Sequence, residues 1–575
     1  MMLKSRSITT VRGAIMSEER EQDEGVLRSE CSSTSSTSEL DEETEVRSSA
    51  PRPHIALGER VPSRRDLAIL RSYRYHATNV LTLTGPIVLS EIFQNTMPLI
   101  DIGFVGNLPN KEDLAVAALA IAWFNLWNAA MVGFSSAIDT FLAQNFGANE
   151  LLGYRRWTGT GLVIVMMATC VMSCILAACG PAMRVFGQDE AHAHRAGEFS
   201  YRLIPGLFPY YAFRVLVKHL QAQDIVLPAV FTGFIANGVN ILFSWILMYK
   251  LDMGLYGSPW ASTITRFTEL FIICGYMMWC RNSKKMQATW PTLSREMWTS
   301  ETMVPFFKLA FSGALSMSAE IWSYEIATIL AGLLGTVQLN AHTITLTLAT
   351  FIFYSFPFAN GIAASIRVGQ WMGDGNHLNA QRSSLVSFLL SLAVQCSLVS
   401  IVFPCRHYIG ELFTSDQDVA DTVSTLVPIM CVFMLGDSLQ ATVGGVMRGL
   451  GQQKLMLRLN IFAYWMLALP IGSLLMFVGH AGLHGMWWAF VLAVYSSGTV
   501  GLMTLKYGMS WEKEAMKAAK RVTALPLTST HTPRRIPPNN MVSSDDTDSF
   551  QFDSSLSTGG GDEEESCADS VVFEA

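Results

Sequence analysis

The chain is short of charge over most of its length. Of its 575 residues, 15% are charged and 50% are hydrophobic, whereas soluble domains carry about 25% charge. The shortage is uneven. Residues 1–60 and 520–575 are rich in Ser, Glu and Asp, and between them charge is sparse. That pattern excludes a single soluble globule and points to a membrane domain with solvated tails. A GxxxxGK[ST] phosphate loop is absent from the sequence, so a P-loop-driven pump is excluded. The first sixty residues contain no continuous apolar stretch, so a cleavable signal peptide is not expected and the first apolar helix is read as an uncleaved anchor. The ten cysteines are scattered, and no His or second Cys pair joins Cys170 and Cys174 to complete a metal set. Neither a metal site, a disulfide framework, a cofactor nor an enzymatic centre is expected.

What is present is a succession of apolar runs. About 20 apolar residues cross the hydrocarbon layer as a helix. The runs lie at 79–106, 114–142, 157–180, 199–222, 226–249, 254–280, 303–335, 338–366, 383–404, 421–447, 456–478 and 482–506, twelve spans in all. The 199–222 span is interrupted by Arg202, Arg214 and Lys218. Basic residues collect before the first span and at the even loops, from Arg155 and Arg156 through Lys284 and Lys285 to Arg448 and Lys454. By the positive-inside bias, both termini are expected in the cytoplasm. The acidic runs Asp41-Glu42-Glu43 and Asp562-Glu563-Glu564-Glu565 fall in the tails and read as disordered segments. No nucleic-acid partner is expected.

The chain also repeats itself. At an offset of 226 residues, Gly106 falls on Gly332, Ala115 on Ala341, Ala137 on Ala363, Gln144 on Gln370 and Gly147 on Gly373. An even shift of six spans preserves orientation, so the halves are parallel repeats related by an axis along the membrane normal. The expected organisation is an N-terminal tail over 1–70, a six-helix lobe over 79–280, a linker over 281–302, a second six-helix lobe over 303–506 and an acidic tail over 507–575. The fold class is therefore an all-α membrane protein, with twelve transmembrane helices in two pseudo-symmetric lobes around a central cavity.

Four stretches carry a family resemblance. Ser135-Ser-Ala-Ile-Asp-Thr-Phe-Leu-Ala-Gln-Asn-Phe-Gly-Ala148 is similar to "SALDTLxxQxxGA", and Ala319-Glu-Ile-Trp-Ser-Tyr-Glu325 to "LEWWxYE". Asp437 to Gln452 is similar to "FxxLQxxxxGVLRGxGxQ", and Ala363 to Gln370 to "AASVRVGN". The chain thus resembles the eukaryotic branch of the multidrug and toxic compound extrusion (MATE) transporters over roughly residues 80–506. Ile321 stands where that branch usually has Trp, and Met434, Leu435 and Gly436 include no counterpart of the His of human-type members. The resemblance implies two six-helix lobes and export coupled to inward proton or sodium flow. It also implies a cation-linked role for Asp101, with Asn240 matching an archaeal-type partner while Ser244 and Ser262 replace the others.

Acids inside spans are the sharpest chemical signal. A carboxylate at a helix centre costs about 2.5–3.5 kcal/mol on insertion scales, and such groups face a cavity or a partner. A buried carboxyl titrates closer to working pH, so a proton and a cationic solute can compete for it. Glu320 and Glu325 lie on the seventh span, about 140° apart around a helix, so one lines the cavity while the other meets a neighbour. Asp437, on the tenth span, heads a face of Ala441, Gly444, Gly445 and Arg448. In the first lobe Asp101 and Glu91 are the candidates, and Asp139 is read as a capping or gating residue. Expected cavity-lining residues are Trp322, Tyr324 and Tyr354, whose rings can attract cations, with Asn125, Gln94 and Asn240. Pro86, Pro98, Pro205, Pro209, Pro357 and Pro470 interrupt spans and are expected to kink them.

The expected function is a secondary antiporter exporting small organic solutes, namely cationic drugs, metabolites or xenobiotics, in exchange for H+, with Na+ as the other coupling ion open. The alternatives are a flippase for lipid-linked sugars of the same wider superfamily and an organic-anion (citrate-type) exporter. The acidic cavity candidates weigh against a flippase. A monomer in the plasma, vacuolar or endosomal membrane, surrounded by lipid, is expected.

Overall fold

The structure is a computed structural model that describes residues 64–110, 112–414 and 416–523. Of the expected tails 1–70 and 507–575, residues 1–63 and 524–575 lie outside the described residues, while 511–523 is helical. Every long element among the described residues is helical, because only a helix or a closed barrel satisfies backbone N–H and C=O groups inside hydrocarbon.

The first lobe comprises α1 (Arg64–Gly106), α2 (Glu112–Gly147), α3 (Leu151–Ala177), α4 (190–221), α5 (Leu227–Lys250) and α6 (Gly257–Trp279). The second comprises α7 (Ser300–Gly332), α8 (Thr336–Gly373), α9 (His377–Val402), α10 (Gln417–Leu450), α11 (Gln453–Val478) and α12 (Gly482–Gly508). A thirteenth helix, α13 (Trp511–Thr523), follows. All twelve expected spans are found. Most helices run a few residues past the apolar limits, since helical hydrogen bonding continues beyond the hydrocarbon. Eight of them are long and apolar enough to cross a membrane by length and composition alone. The four that fall short are α1, α4, α6 and α7. These carry Glu91 and Asp101, Arg214 and Lys218, Arg266 and Glu269, and Glu320 and Glu325. Charge inside these helices lowers their hydropathy.

Local signals set the helix ends. Asp416 starts α10 by accepting from the Asp418 and Val419 N–H groups at 3.0 and 3.4 Å, and Asn376 starts α9 by accepting from Asn379 at 3.1 Å, as N-cap side chains do. Gly451 ends α10 in the left-handed region, φ 71°, where a residue without Cβ is unstrained. The prolines act unequally. Pro86 and Pro98 sit within an unbroken α1. Pro205 converts one turn of α4 to a 3-10 turn, Pro357 follows a break at Phe356 in α8, and Pro470 lies between two π-type stretches of α11. Exposed Phe231, Phe234 and Ile235 on α5, and Leu385, Leu389 and Leu392 on α9, form the apolar outer surface that lipid would cover.

The lobes meet along α2, α7 and α8 in a reciprocal way. A Cβ on Gly147 would collide with the Gln370 carbonyl, and a Cβ on Gly373 with the Gln144 carbonyl. Each glycine of one repeat thus rests on the glutamine of the other, and these are the residues the 226-residue offset pairs. Such exchange is what a two-fold axis produces. Likewise Gly133 and Gly313 pack backbone to backbone, while their repeat mates Ala359 and Ile87 share a small core cluster. Phe141, Trp157 and Phe306 stack where α2, α3 and α7 meet, with centroids 4.0 Å apart for the first pair and 5.7 Å for the second.

Candidate functional site

Between the lobes, toward the face where α2 turns into α3, lies a cavity with 1130 Å³ of non-atom space. Helices α1, α2 and α4 supply one wall, and α7, α8, α10 and α11 the other. Aromatic and thioether side chains, Phe213, Phe353, Phe358, Met317 and Met456, make much of its surface.

Glu320 projects into it from α7. Its Oε2 accepts from Gln440 Nε2 at 3.2 Å and from Asn460 Nδ2 at 3.4 Å. Asn460 is itself fixed by donating to Ser316 Oγ at 3.2 Å and accepting from Ser497 Oγ at 3.1 Å. Tyr464 donates to Gln440 Oε1 at 3.1 Å and shares its hydroxyl with that of Tyr324 at 3.2 Å. One carboxylate therefore ties α7, α10 and α11 together while facing the open space. Asp437 is buried one turn before Gln440 and lies in electrostatic range of Glu320. Glu325 is half-buried and is not among the cavity-lining residues. The two glutamates of α7 thus face different surroundings, as their angular separation requires.

In the first lobe, Asp101 is turned into its own helix bundle. Asn240 Nδ2 donates to its Oδ1 at 3.1 Å and Ser262 Oγ to its Oδ2 at 2.6 Å. The two residues aligned with archaeal-type positions therefore do converge on it. Ser244 is buried with no hydrogen-bond partner among the described residues. Glu91 and Gln94 line the cavity, and Gln94 donates to Glu269 Oε1 at 2.6 Å. Glu269 is the residue that sequence reasoning passed over. Its other oxygen has no partner among the described residues. Its position three residues after Arg266 inside an apolar span was signal enough to find it.

The expected aromatic wall is different. Trp322 donates to the Leu126 carbonyl at 3.1 Å and meets Trp127 edge-on, between the lobes but outside the cavity lining. Tyr324 packs among Phe433, Tyr464 and Phe490. Tyr354 stands behind the lining residues Phe353 and Phe358. Asn125 is exposed and Asn240 is spent on Asp101, so neither lines the cavity.

Charge in the cavity needs the largest correction. Its lining holds Glu91, Asp139 and Glu320 but also Arg214, Lys218 and Arg448, so it is balanced rather than acidic. The charge pattern counts Arg214, Lys218 and Arg448 as basic residues approaching or flanking the even loops. They sit in the last two turns of α4 and α10 and line the cavity. Asp139, in turn, forms a 2.8 Å ion pair with Lys218.

The family model MatE matches residues 86–246 and 313–474, one stretch in each lobe at nearly the repeat offset. The chain belongs to the MatE family. Multidrug and toxin extrusion protein 1 of Oryctolagus cuniculus is 32% identical over 453 residues, 78% of each chain. The Homo sapiens protein of the same name is 31% identical over 460 residues, again 78% of each. The eukaryotic MATE transporter AtDTX14 superposes with a TM-score of 0.74 at 26% identity, covering 78% of this chain and 100% of that one. A MATE transporter from Vibrio cholerae, 15% identical with a TM-score of 0.70, shares the fold. This MATE protein is accordingly an integral membrane transporter, with one matched stretch in each lobe.

Proposed function

We propose that this transporter is a secondary antiporter that exports organic solutes with a cationic group in exchange for protons. The observation that carries the reading is Glu320, a carboxylate contributed by one lobe, braced by amides from two other helices and open to the space between lobes. A cation bound there and a proton bound there exclude one another. Because each favours a different arrangement of the α7–α10–α11 junction, each biases the same alternating equilibrium. Glu91 on the opposite wall and Asp437 behind Glu320 extend the acidic path, while Asp101 acts within the first lobe as a second proton-binding group. The relatives named for multidrug and toxin extrusion support export of small organic compounds.

Vesicles reconstituted with the protein test this. With a proton gradient imposed, a cationic dye is expected to accumulate; with a sodium gradient alone it is not. Glu320→Gln is expected to abolish the gradient-driven component. Uptake by Glu320→Gln equal to wild type would overturn the reading.

A further inference from the structure

Three cations, Arg214, Lys218 and Arg448, line the cavity at the ends of α4 and α10. Lys218 lies one helical turn from Arg214 and within electrostatic range of both Arg214 and Arg448. Among the described residues, one carboxylate stands within 4.0 Å of any of them, and that is Asp139, paired with Lys218. Neither arginine has a carboxylate at that distance. Arg448 reaches the cavity through a gap left by glycines: a Cβ on Gly361 would sit 3.2 Å from its Nη2, and one on Gly444 3.7 Å from its Nη1. The Phe358 ring lies 6.0 Å from its guanidinium carbon. The acids within electrostatic range of Arg448 are Asp139 and Glu320. The first is engaged by Lys218, the second by Gln440 and Asn460. Arg214 stands over Tyr210 at 5.8 Å and has Glu91 in electrostatic range. Two planar donor forks therefore face shared space without a bonded acid, which is the arrangement that receives a carboxylate.

We infer that Arg448 and Arg214, together with Lys218, form a subsite for a carboxylate on the exported solute. The solute is then a zwitterion, with its cationic end at Glu320 and its anionic end at the arginines. A simple organic anion fits less well, because Glu320 and Asp437 would repel it across the same space. The inference deepens the antiporter reading and rests on it for the word "exported", but the subsite itself is a matter of binding.

The test compares two permanently charged probes that differ only in the carboxylate: N,N,N-trimethylphenylalanine and phenethyltrimethylammonium. Calorimetric titration of the purified full chain is expected to show the zwitterion binding about tenfold more tightly, the scale of one charged hydrogen bond. Arg448→Gln is expected to bring the ratio of the two affinities toward one, and Arg448→Lys to leave an intermediate ratio. Arg214→Gln reads the same ratio if Arg448→Gln does not fold. A wild-type ratio near one, binding of neither probe, or an unchanged ratio in both variants overturns the subsite. If the ratio behaves as expected but neither probe moves against a proton gradient in vesicles, the antiporter reading fails and the subsite stands.

Discussion

The two lobes share a backbone but not a chemistry. At the 226-residue offset, Ser90 corresponds to Ser316, Glu91 to Met317 and Gln94 to Glu320, and all six residues line the cavity. α1 and α7 therefore present the same three positions to the same space, with the carboxylate one turn apart: Gln94 stands at the place of Glu320, and Met317 at that of Glu91. Behind that surface the difference is larger. Asp101 is held inside its lobe by Asn240 and Ser262, while the equivalent position in the second lobe is the fully buried Ala327. Duplication thus fixed the geometry of the cavity. Divergence offset the cavity-facing acids Glu91 and Glu320 by one turn and placed the enclosed acid Asp101 in the first lobe alone. In a symmetric cavity both walls would respond alike to a proton; here they cannot.

The sharpest way to break this comparison is to neutralise one acid in each lobe. Glu320→Gln is expected to lower gradient-driven uptake more than tenfold, about 1.4 kcal/mol or more. Asp101→Asn, which still can hydrogen-bond Ser262, is expected to lower it severalfold less. Initial rates in vesicles decide this, and equal losses would mean that the lobes contribute equivalently. The shared backbone is tested by Gly147→Val and Gly373→Val. Each forces a side chain against the opposing carbonyl, and each is expected to cost about 1–3 kcal/mol by thermal unfolding in detergent. Because the contacts are reciprocal, the two losses should match; a large effect at one glycine alone would contradict the two-fold relation. Moving an acid into the repeat-equivalent place sharpens the contrast further. Gln94→Glu sets a second carboxylate against Glu269 at the site of a 2.6 Å hydrogen bond and is expected to destabilise by about 1–2 kcal/mol, with no rescue of Glu320→Gln. The smallest effect is expected outside the repeat. Arg521 of α13 donates to Gln144 Oε1 at 3.3 Å and to the Leu450 carbonyl at 3.0 Å, joining the ends of α2 and α10. Arg521→Ala should cost about 1 kcal/mol, read in the same unfolding assay.

Much of the architecture was legible before any coordinates. Apolar length marked all twelve helices, and Gly147, Gly373, Gln144 and Gln370 betrayed the repeat because close backbone approach tolerates no side chain there. One partner of Asp101, Asn240, could be read by resemblance, whereas Ser262 was a departure from the resembling pattern and only the packing shows that it also reaches the acid. What stayed hidden was the facing of charges near helix ends. Arg214, Lys218 and Arg448 carry the same composition signal whether they mark a loop or line a cavity, and only the packing of α4 and α10 separates the two. Glu269 was legible as an acid inside a span, but its partnership with Gln94, 175 positions away in sequence, was not. The aromatic residues misled because a ring near an acid along the chain can point into the bundle, as Tyr324 does toward Tyr464 and Phe490.

Competition between solute and proton at one carboxylate makes a direct demand on stoichiometry. Titrating a permanently charged cation into the purified protein, in buffers of different ionisation enthalpy, reports the protons released per solute bound. Wild type and Asp101→Asn are expected to release protons on binding, and Glu320→Gln to bind weakly with none released. Equal proton release from Glu320→Gln and wild type would place the exchange somewhere other than the cavity carboxylate.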